Sequence, residues 1–321
     1  MEPIITKKRN LGISNISLSP IGLGTWQFSG SKGWMSKFWS SVPYDTAKEI
    51  VQKSLEGGIN WFDTAEAYGK GESEKNLTKI LRELNIKDDD VFIATKWWPL
   101  FRLAKNITHT IHERLDALNK YPIGLYQVHN SLSFSTIESQ MDNMAQLAEK
   151  GIIKYVGVSN FSASQMEKAW KELDKRGMKL VSNQMKFNLL DRKIERNGVM
   201  DLARELGISI IAYSPLAQGL LTGKFHDDPE KLNSISTMRR TSNQMTRKKL
   251  DETKELIAEL KKLAKKYEAS PAEIAINWVI HSHGETVFTI PGASKPYQAE
   301  TNTRAMSFQL TNAEIEMLSM I

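Results

Sequence analysis

Four side chains of complementary chemistry stand at or just beyond the ends of apolar runs in this 321-residue chain. Asp63 ends the run that opens WFDTAEAYG, Lys96 ends ATK, His129 ends LYQVH, and Tyr68 follows Asp63 within the same motif. Each has an ordinary account when taken singly. Asp63 before Thr64 could cap a helix, Lys96 could be a rim charge, His129 a hydrogen-bonded structural residue and Tyr68 a packing ring. Jointly they point elsewhere, because charges at the ends of buried strands are costly unless paired. A phenol is a weak acid with an ordinary pKa of about 10. A neighbouring ammonium stabilises phenolate, so Lys96 is expected to lower the pKa of Tyr68, with Asp63 holding Lys96 in place and charged. Such a phenol can protonate a carbonyl oxygen as that oxygen gains negative charge, and His129 can orient the carbonyl. The motifs offer no nucleophile beside a base and no metal-ligand cluster, so the electron donor has to be a cofactor.

These residues converge only if the runs carrying them are neighbours in one sheet. Eight short β-rich segments are present: 21–23, 59–64, 91–96, 123–129, 155–159, 180–185, 208–214 and 286–291. Continuous apolar runs of this kind suit strands buried on both faces. Between them, helical spacing marks 46–55, 73–84, 107–118, 137–148, 164–173, 198–206, 254–267 and 272–280. Pro271 suits the first turn of the last of these, and Ser270 its N-cap. Eight such units in about 300 residues predict an α/β fold, a closed (β/α)8 TIM barrel whose chemistry sits at the C-terminal ends of the strands. An open doubly wound sheet competes, but GLGTWQ at 22–27 lacks the third glycine of a dinucleotide fingerprint. GLLTGK at 219–224 is likewise one residue short of a phosphate-binding P-loop. Residues 4–19 are expected to form an N-terminal hairpin closing the barrel bottom. The polar stretch 215–247 has the length of a binding loop at the C-terminal face. The expected organisation is a single domain over residues 1–321.

Composition narrows the function classes. With no cysteine, disulfides, Cys-ligated zinc, iron–sulfur clusters and a thiol nucleophile are excluded. The net charge of +6 comes from 43 basic and 37 acidic residues. The two signs are interleaved on helix faces, so neither nucleic acid nor a membrane surface is the expected partner. No apolar run approaches the roughly 18 residues of a membrane span, and MEPIITKKRN lacks the apolar core of a signal peptide. A cytoplasmic location is expected.

Along essentially its whole length the sequence resembles the aldo-keto reductases. The resemblance rests on GLGTW at 22–26, DTAEAYG at 63–69, ATK at 94–96, LYQVH at 125–129, GVSNFS at 157–162, AYSPLAQGLLTGK at 212–224 and PGASKPYQAETN at 291–302. It looks most like the bacterial and archaeal branch that includes general stress reductases and potassium-channel β-subunits. The resemblance implies a (β/α)8 barrel and reduction of aldehydes or ketones with NADP(H). It implies Asp63, Tyr68, Lys96 and His129 as the catalytic tetrad, with Tyr68 the acid. Gly24, Thr25, Trp26 and Asp63 would also face the cofactor. By the same resemblance Ser159, Asn160 and Gln184 hold the nicotinamide carboxamide and Tyr213 stacks on its ring. Ser214, Pro215, Leu216, Gln218, Gly219 and Lys224 would strap the pyrophosphate. Gly292, Ser294, Lys295, Gln298 and Asn302 match the adenosine and 2′-phosphate site. Two departures stand out: many members carry arginine in place of Gln298, and glutamate in place of Thr301. A glutamine cannot neutralise a phosphate, so Lys295 is left to do so.

Trp26, Trp97 and Trp98 at strand ends are expected, with Tyr68 and His129, to wall a pocket for a small carbonyl substrate. Trp34 and Trp39 are expected in a loop covering it. A cofactor-binding regulatory or redox-sensing subunit with slow turnover is the rival function, and NADPH consumption with small aldehydes separates the two. A barrel hydrolase would need a carboxylate pair or metal ligands at the strand ends, and neither is present in the motifs.

Overall fold

In the computed structural model of the protein, residues 7–30, 42–235, 240 and 245–321 are described. Strands β1 (Arg9–Asn10) and β2 (Ser17–Leu18) pair antiparallel as the expected hairpin. The eight parallel strands are β3 (Leu23–Gly24), β4 (Trp61–Asp63), β5 (Phe92–Trp97), β6 (Ile123–Val128), β7 (Ile153–Ser159), β8 (Leu180–Lys186), β9 (Ser209–Tyr213) and β10 (Val287–Thr289). They pair in chain order, and parallel bridges Ile21–Thr289 and Gly24–Gly292 join the first strand to the last, closing the sheet into a barrel.

Strand alternation sorts the core into two layers. Inward residues Trp61, Phe92, Leu125, Val181, Ile211 and Phe288 fill the barrel, and Leu11 and Leu18 of the hairpin plug its bottom. Gly22 leaves the room for this filling, since a Cβ there would lie 2.4 Å from the Trp61 ring. Outward residues such as Phe62, Ile93, Tyr126 and Val128 meet the helices. Helix starts follow local chemistry. Ser162 with Gln165 and Ser270 with Glu273 form capping boxes, and Pro271 occupies the first turn.

Three elements differ from the expectations. The helix expected over 107–118 is two, Lys105–His109 and Ile111–Ala117. They break at Thr110, whose N–H and hydroxyl both donate to the Asn106 carbonyl, at 2.9 and 2.8 Å. In the stretch 215–247, Leu220, Phe225 and Leu232 on short helical turns at Ala217–Thr222, Lys224–Asp227 and Pro229–Ser234 form an apolar cluster with Met245 and with Leu250 of the helix Arg247–Glu252. Helices Pro296–Arg304 and Asn312–Met320 follow β10, where the spacing had marked none. No helix among the described residues is long and apolar enough to cross a membrane.

Candidate active site

Register brings the site together. Gly24 pairs with Asp63, Asp63 with Ala94, Lys96 with Gln127, and Ser159 with Gln184. The apolar filling therefore gives way, toward the C-terminal mouth, to inward polar side chains. Lys96 Nζ donates to Asp63 Oδ1 at 2.5 Å and to the Thr64 carbonyl at 2.8 Å, and lies 3.5 Å from the Tyr68 hydroxyl. Lys96 and Asp63 are fully buried. The second carboxylate oxygen of Asp63 accepts from Gln184 Nε2 at 2.8 Å and from Gln127 Nε2 at 3.3 Å. Both oxygens of the buried carboxylate thus have donors, three in all, which is what makes a buried charge tolerable.

Electrostatics gives the three titrating partners distinct states. Burial works against the charge of Lys96, but Asp63 and Tyr68 outweigh it, so the ammonium is held above its ordinary value. Tyr68 differs from expectation. Burial raises its pKa, and the lowering by Lys96 does not cancel that, so the phenol sits above its ordinary value. A sequence shows the neighbouring charge but not the desolvation. His129 is pushed well below its ordinary value by burial and by Lys96, so its imidazole is neutral. Its Nδ1 has no hydrogen-bond partner among the described residues.

Rings surround this group. Trp26 lies 5.4 Å from Tyr68, Tyr68 stands edge-on to His129 at 5.8 Å, and Trp98 stands edge-on to His129 at 5.1 Å. Trp97, expected in the pocket, does not reach it. One residue beyond inward Lys96, it points to the opposite face, is fully buried against the helices, and donates from Nε1 to Asn106. Trp34 and Trp39 lie outside the described residues.

The residues expected at a nicotinamide form a linked row. Ser159 Oγ donates to the Gln184 carbonyl at 3.0 Å, Asn160 Nδ2 to Ser159 Oγ at 3.0 Å, and the Tyr213 hydroxyl to Asn160 Oδ1 at 2.9 Å. Burial pushes the Tyr213 phenol up to about 12. Beyond it, Ser214, Ala217, Gln218 and Gly219 all have left-handed backbone, with φ of 54°, 46°, 60° and 97°. Pro215 and Leu216 lie within this run, and Lys224 follows it. Asn188 Nδ2 anchors the start of this run by donating to the Ser214 carbonyl at 2.9 Å.

At the far end, Asn302 is buried and its Nδ2 has no partner among the described residues. Gln298 folds back on its own turn, where its Oε1 accepts from Ser294 N at 2.8 Å and Lys295 N at 3.1 Å. Gly292 backs onto the Gln27 amide, 2.3 Å from where a Cβ would stand. Thr25 is less available than expected. It is fully buried, and its hydroxyl is engaged with the Asp63 carbonyl at 3.0 Å and with Ser73.

Sequence reasoning missed Gln127 and a second charge cluster. Gln127 has the same inward parity as His129, two positions on, and that signal was readable. The second cluster lies outside the barrel wall, where Glu74 accepts from Thr95 Oγ1 at 2.6 Å and Arg114 Nη1 at 2.5 Å. Glu66, the acid inside DTAEAYG, accepts from Trp98 N at 2.5 Å and Arg102 Nη1 at 2.6 Å.

Residues 20–321 match the family model described as the Aldo/keto reductase family. A chloroplastic pyridoxal reductase of Arabidopsis thaliana is 32% identical over 324 residues, covering 97% of this chain and 85% of that protein. Aldo-keto reductase YhdN of Bacillus subtilis (strain 168) is 31% identical, covering 94% and 89%. The solved glycerol dehydrogenase of Gluconobacter oxydans superposes with a TM-score of 0.74 at 26% identity, covering 98% of this chain and 94% of that one.

Proposed function

The chain belongs to the Aldo/keto reductase family of oxidoreductases, and on that premise we propose that it reduces aldehydes or ketones to alcohols with NADP(H), Tyr68 acting as the general acid. The observation that carries this reading is the buried Asp63–Lys96 pair with the Tyr68 hydroxyl 3.5 Å from the ammonium and a neutral His129 beside it. When bound, a reduced nicotinamide would supply the hydride taken up by the carbonyl carbon. The residues that fit such a cofactor are the Ser159–Asn160–Gln184–Tyr213 row, the left-handed turn at 214–219 and the orphaned amide of Asn302.

The chain's own part is protonic and electrostatic. Tyr68 gives its proton to the carbonyl oxygen as charge builds there. Lys96 stabilises the phenolate left behind, and Asp63, fixed by Gln127 and Gln184, holds Lys96. A neutral imidazole can hold the same oxygen with one N–H without competing for the phenolic proton. NADP(H) over NAD(H) rests on the charge of Lys295, since the Gln298 carboxamide is neutral and cannot offset that of a phosphate. The test is loss of nicotinamide absorbance with a small aldehyde, together with fluorescence titration of both reduced nucleotides. Turnover and tighter NADPH binding are expected. Absence of turnover with any carbonyl compound overturns the reaction, and equal affinities overturn the role of Lys295.

A further inference from the structure

Asn188 lies just beyond β8, is fully buried, and uses both ends of its carboxamide. Its Oδ1 accepts from Leu190 N and Asp191 N, each at 2.9 Å. Its main chain exchanges two further bonds with Asp191, at 3.2 and 3.0 Å. A Lys186–Asp191 ion pair at 3.1 Å ties the same loop to the end of its strand. The loop after β8 is thus locked around this side chain by bonds of its own. The other end of the carboxamide leaves the loop. Nδ2 donates at 2.9 Å to the carbonyl of Ser214, the first residue after β9.

The residue that receives this bond has an uncommon conformation. Ser214 has φ +54°, and Ala217 and Gln218, left-handed as well, are not glycines either. Backbone of this kind persists only where its surroundings over-determine it. Within the turn, Ala217 N donates to the Ser214 carbonyl at 3.0 Å and Gln218 Nε2 donates to Ser214 Oγ at 3.0 Å. Those bonds exist only once the turn has closed. Asn188 is different, because it reaches Ser214 from a loop that is fixed independently of the turn. One residue earlier the Tyr213 hydroxyl is tied to Asn160, so the chain leaving β9 is pinned from the ends of both β7 and β8.

We propose that Asn188 is a positioning residue for the nucleotide. By holding the Ser214 carbonyl it sets the turn at 214–219 in its binding shape beforehand, which leaves less ordering to be done on binding. This rests on the reading of that turn as the part of the cofactor site that takes the pyrophosphate, and the test separates the two. NADPH and NADH share the pyrophosphate, so Asn188 has to matter equally to both, whereas Lys295 bears on the 2′-phosphate alone. Asn188→Asp keeps the acceptor for Leu190 and Asp191 and removes the donor to Ser214. Asn188→Ser does the same without adding a charge, since its hydroxyl is one bond shorter. Dissociation constants of both reduced nucleotides are read by fluorescence titration, with kcat at saturating NADPH and denaturant unfolding without nucleotide measured alongside. Each variant should bind both nucleotides about three- to tenfold more weakly, the net worth of one hydrogen bond, with no loss of kcat at saturation. Lowered stability with both dissociation constants unchanged overturns the proposal and leaves Asn188 a residue of the fold alone. A loss confined to NADPH, or a fall in kcat with both constants intact, overturns it too. Where one variant fails to fold, the other carries the same outcomes. A parent protein that binds neither nucleotide overturns the cofactor reading, and the role of Asn188 with it.

Discussion

Two clusters of buried charge lie on opposite sides of one strand. Inside the barrel, Lys96 is paired with Asp63. One residue earlier, Thr95 points outward to Glu74, which is paired with Arg114 and leads through Glu66 to Arg102. Both clusters remove ions from water and pair them through short hydrogen bonds, although Arg114 Nε in the outer one has no hydrogen-bond partner among the described residues. They differ in what lies next. The inner pair ends at a phenol and a neutral imidazole facing the mouth. The outer chain ends in main-chain contacts that hold the loop carrying Trp98. Burial of charge alone therefore does not mark a catalytic centre, and what the charge touches at its open end decides its role.

The contrast breaks first, if it breaks, at Lys96. Lys96→Met should lower kcat at least as much as loss of the acid itself and destabilise the fold by about 3–5 kcal/mol, because Asp63 is left buried and unpaired. Adding Asp63→Asn should restore much of the stability and none of the activity. Chemical denaturation and initial rates measured on the two variants check both halves, and recovery of rate with stability would reduce the pair to a structural device.

Tyr68→Phe should lower kcat by roughly 10²–10⁴-fold with NADPH binding retained, the usual worth of a general acid. Reduction needs the protonated phenol, and burial holds its pKa above the ordinary 10.0. The rate limited by proton transfer should therefore stay level through pH 7–9 as regards this group and fall only at higher pH. A fall centred near neutrality would assign the acid to another residue, with His129 the first candidate.

The outer cluster should answer in stability. Arg114→Met should cost about 3–5 kcal/mol while changing kcat of the folded protein only a few-fold. A tenfold loss of kcat at a temperature where the variant is folded would tie this cluster to the reaction. The smallest effect concerns Glu74, whose carboxyl burial pushes up from 4.5 to about 7 even beside Arg114. A raised folded-state pKa means the native state holds the proton more tightly. That stabilisation is complete below about pH 4.5 and is lost as pH rises through about 7. Glu74→Gln should flatten this part of the stability–pH curve, which denaturant melts at pH 5 and pH 8 would show.

Much of this was legible from residue types and spacing. The apolar runs located the eight strands, and the residues ending or following them supplied Asp63, Tyr68, Lys96 and His129. Other features needed geometry. The parity of β5 turns Trp97 away from the mouth although it directly follows Lys96. The phenol of Tyr68 is governed by desolvation that no motif displays. The pairing of Glu74 with Arg114 joins positions 40 residues apart, and only the packing of the helices Glu72–Glu83 and Ile111–Ala117 against each other brings them together. The cluster around Leu220, Phe225 and Met245 is spread over irregular turns, where apolar spacing has no period to read.

The alternation along β5 also bears on how this protein can change. Phe92, Ala94 and Lys96 face the lumen, while Ile93, Thr95 and Trp97 face the helices. Selection for reactivity and selection for foldability therefore act on alternate letters of the same hexapeptide. Substitutions can tune one without rewriting the other. A single inserted codon within it would shift the pairing by one residue, turning an indole toward Asp63 and an ammonium into the apolar layer. The segment should thus accept point changes far more readily than insertions or deletions, and lineages are free to diversify in the loops that follow it, where length carries no parity.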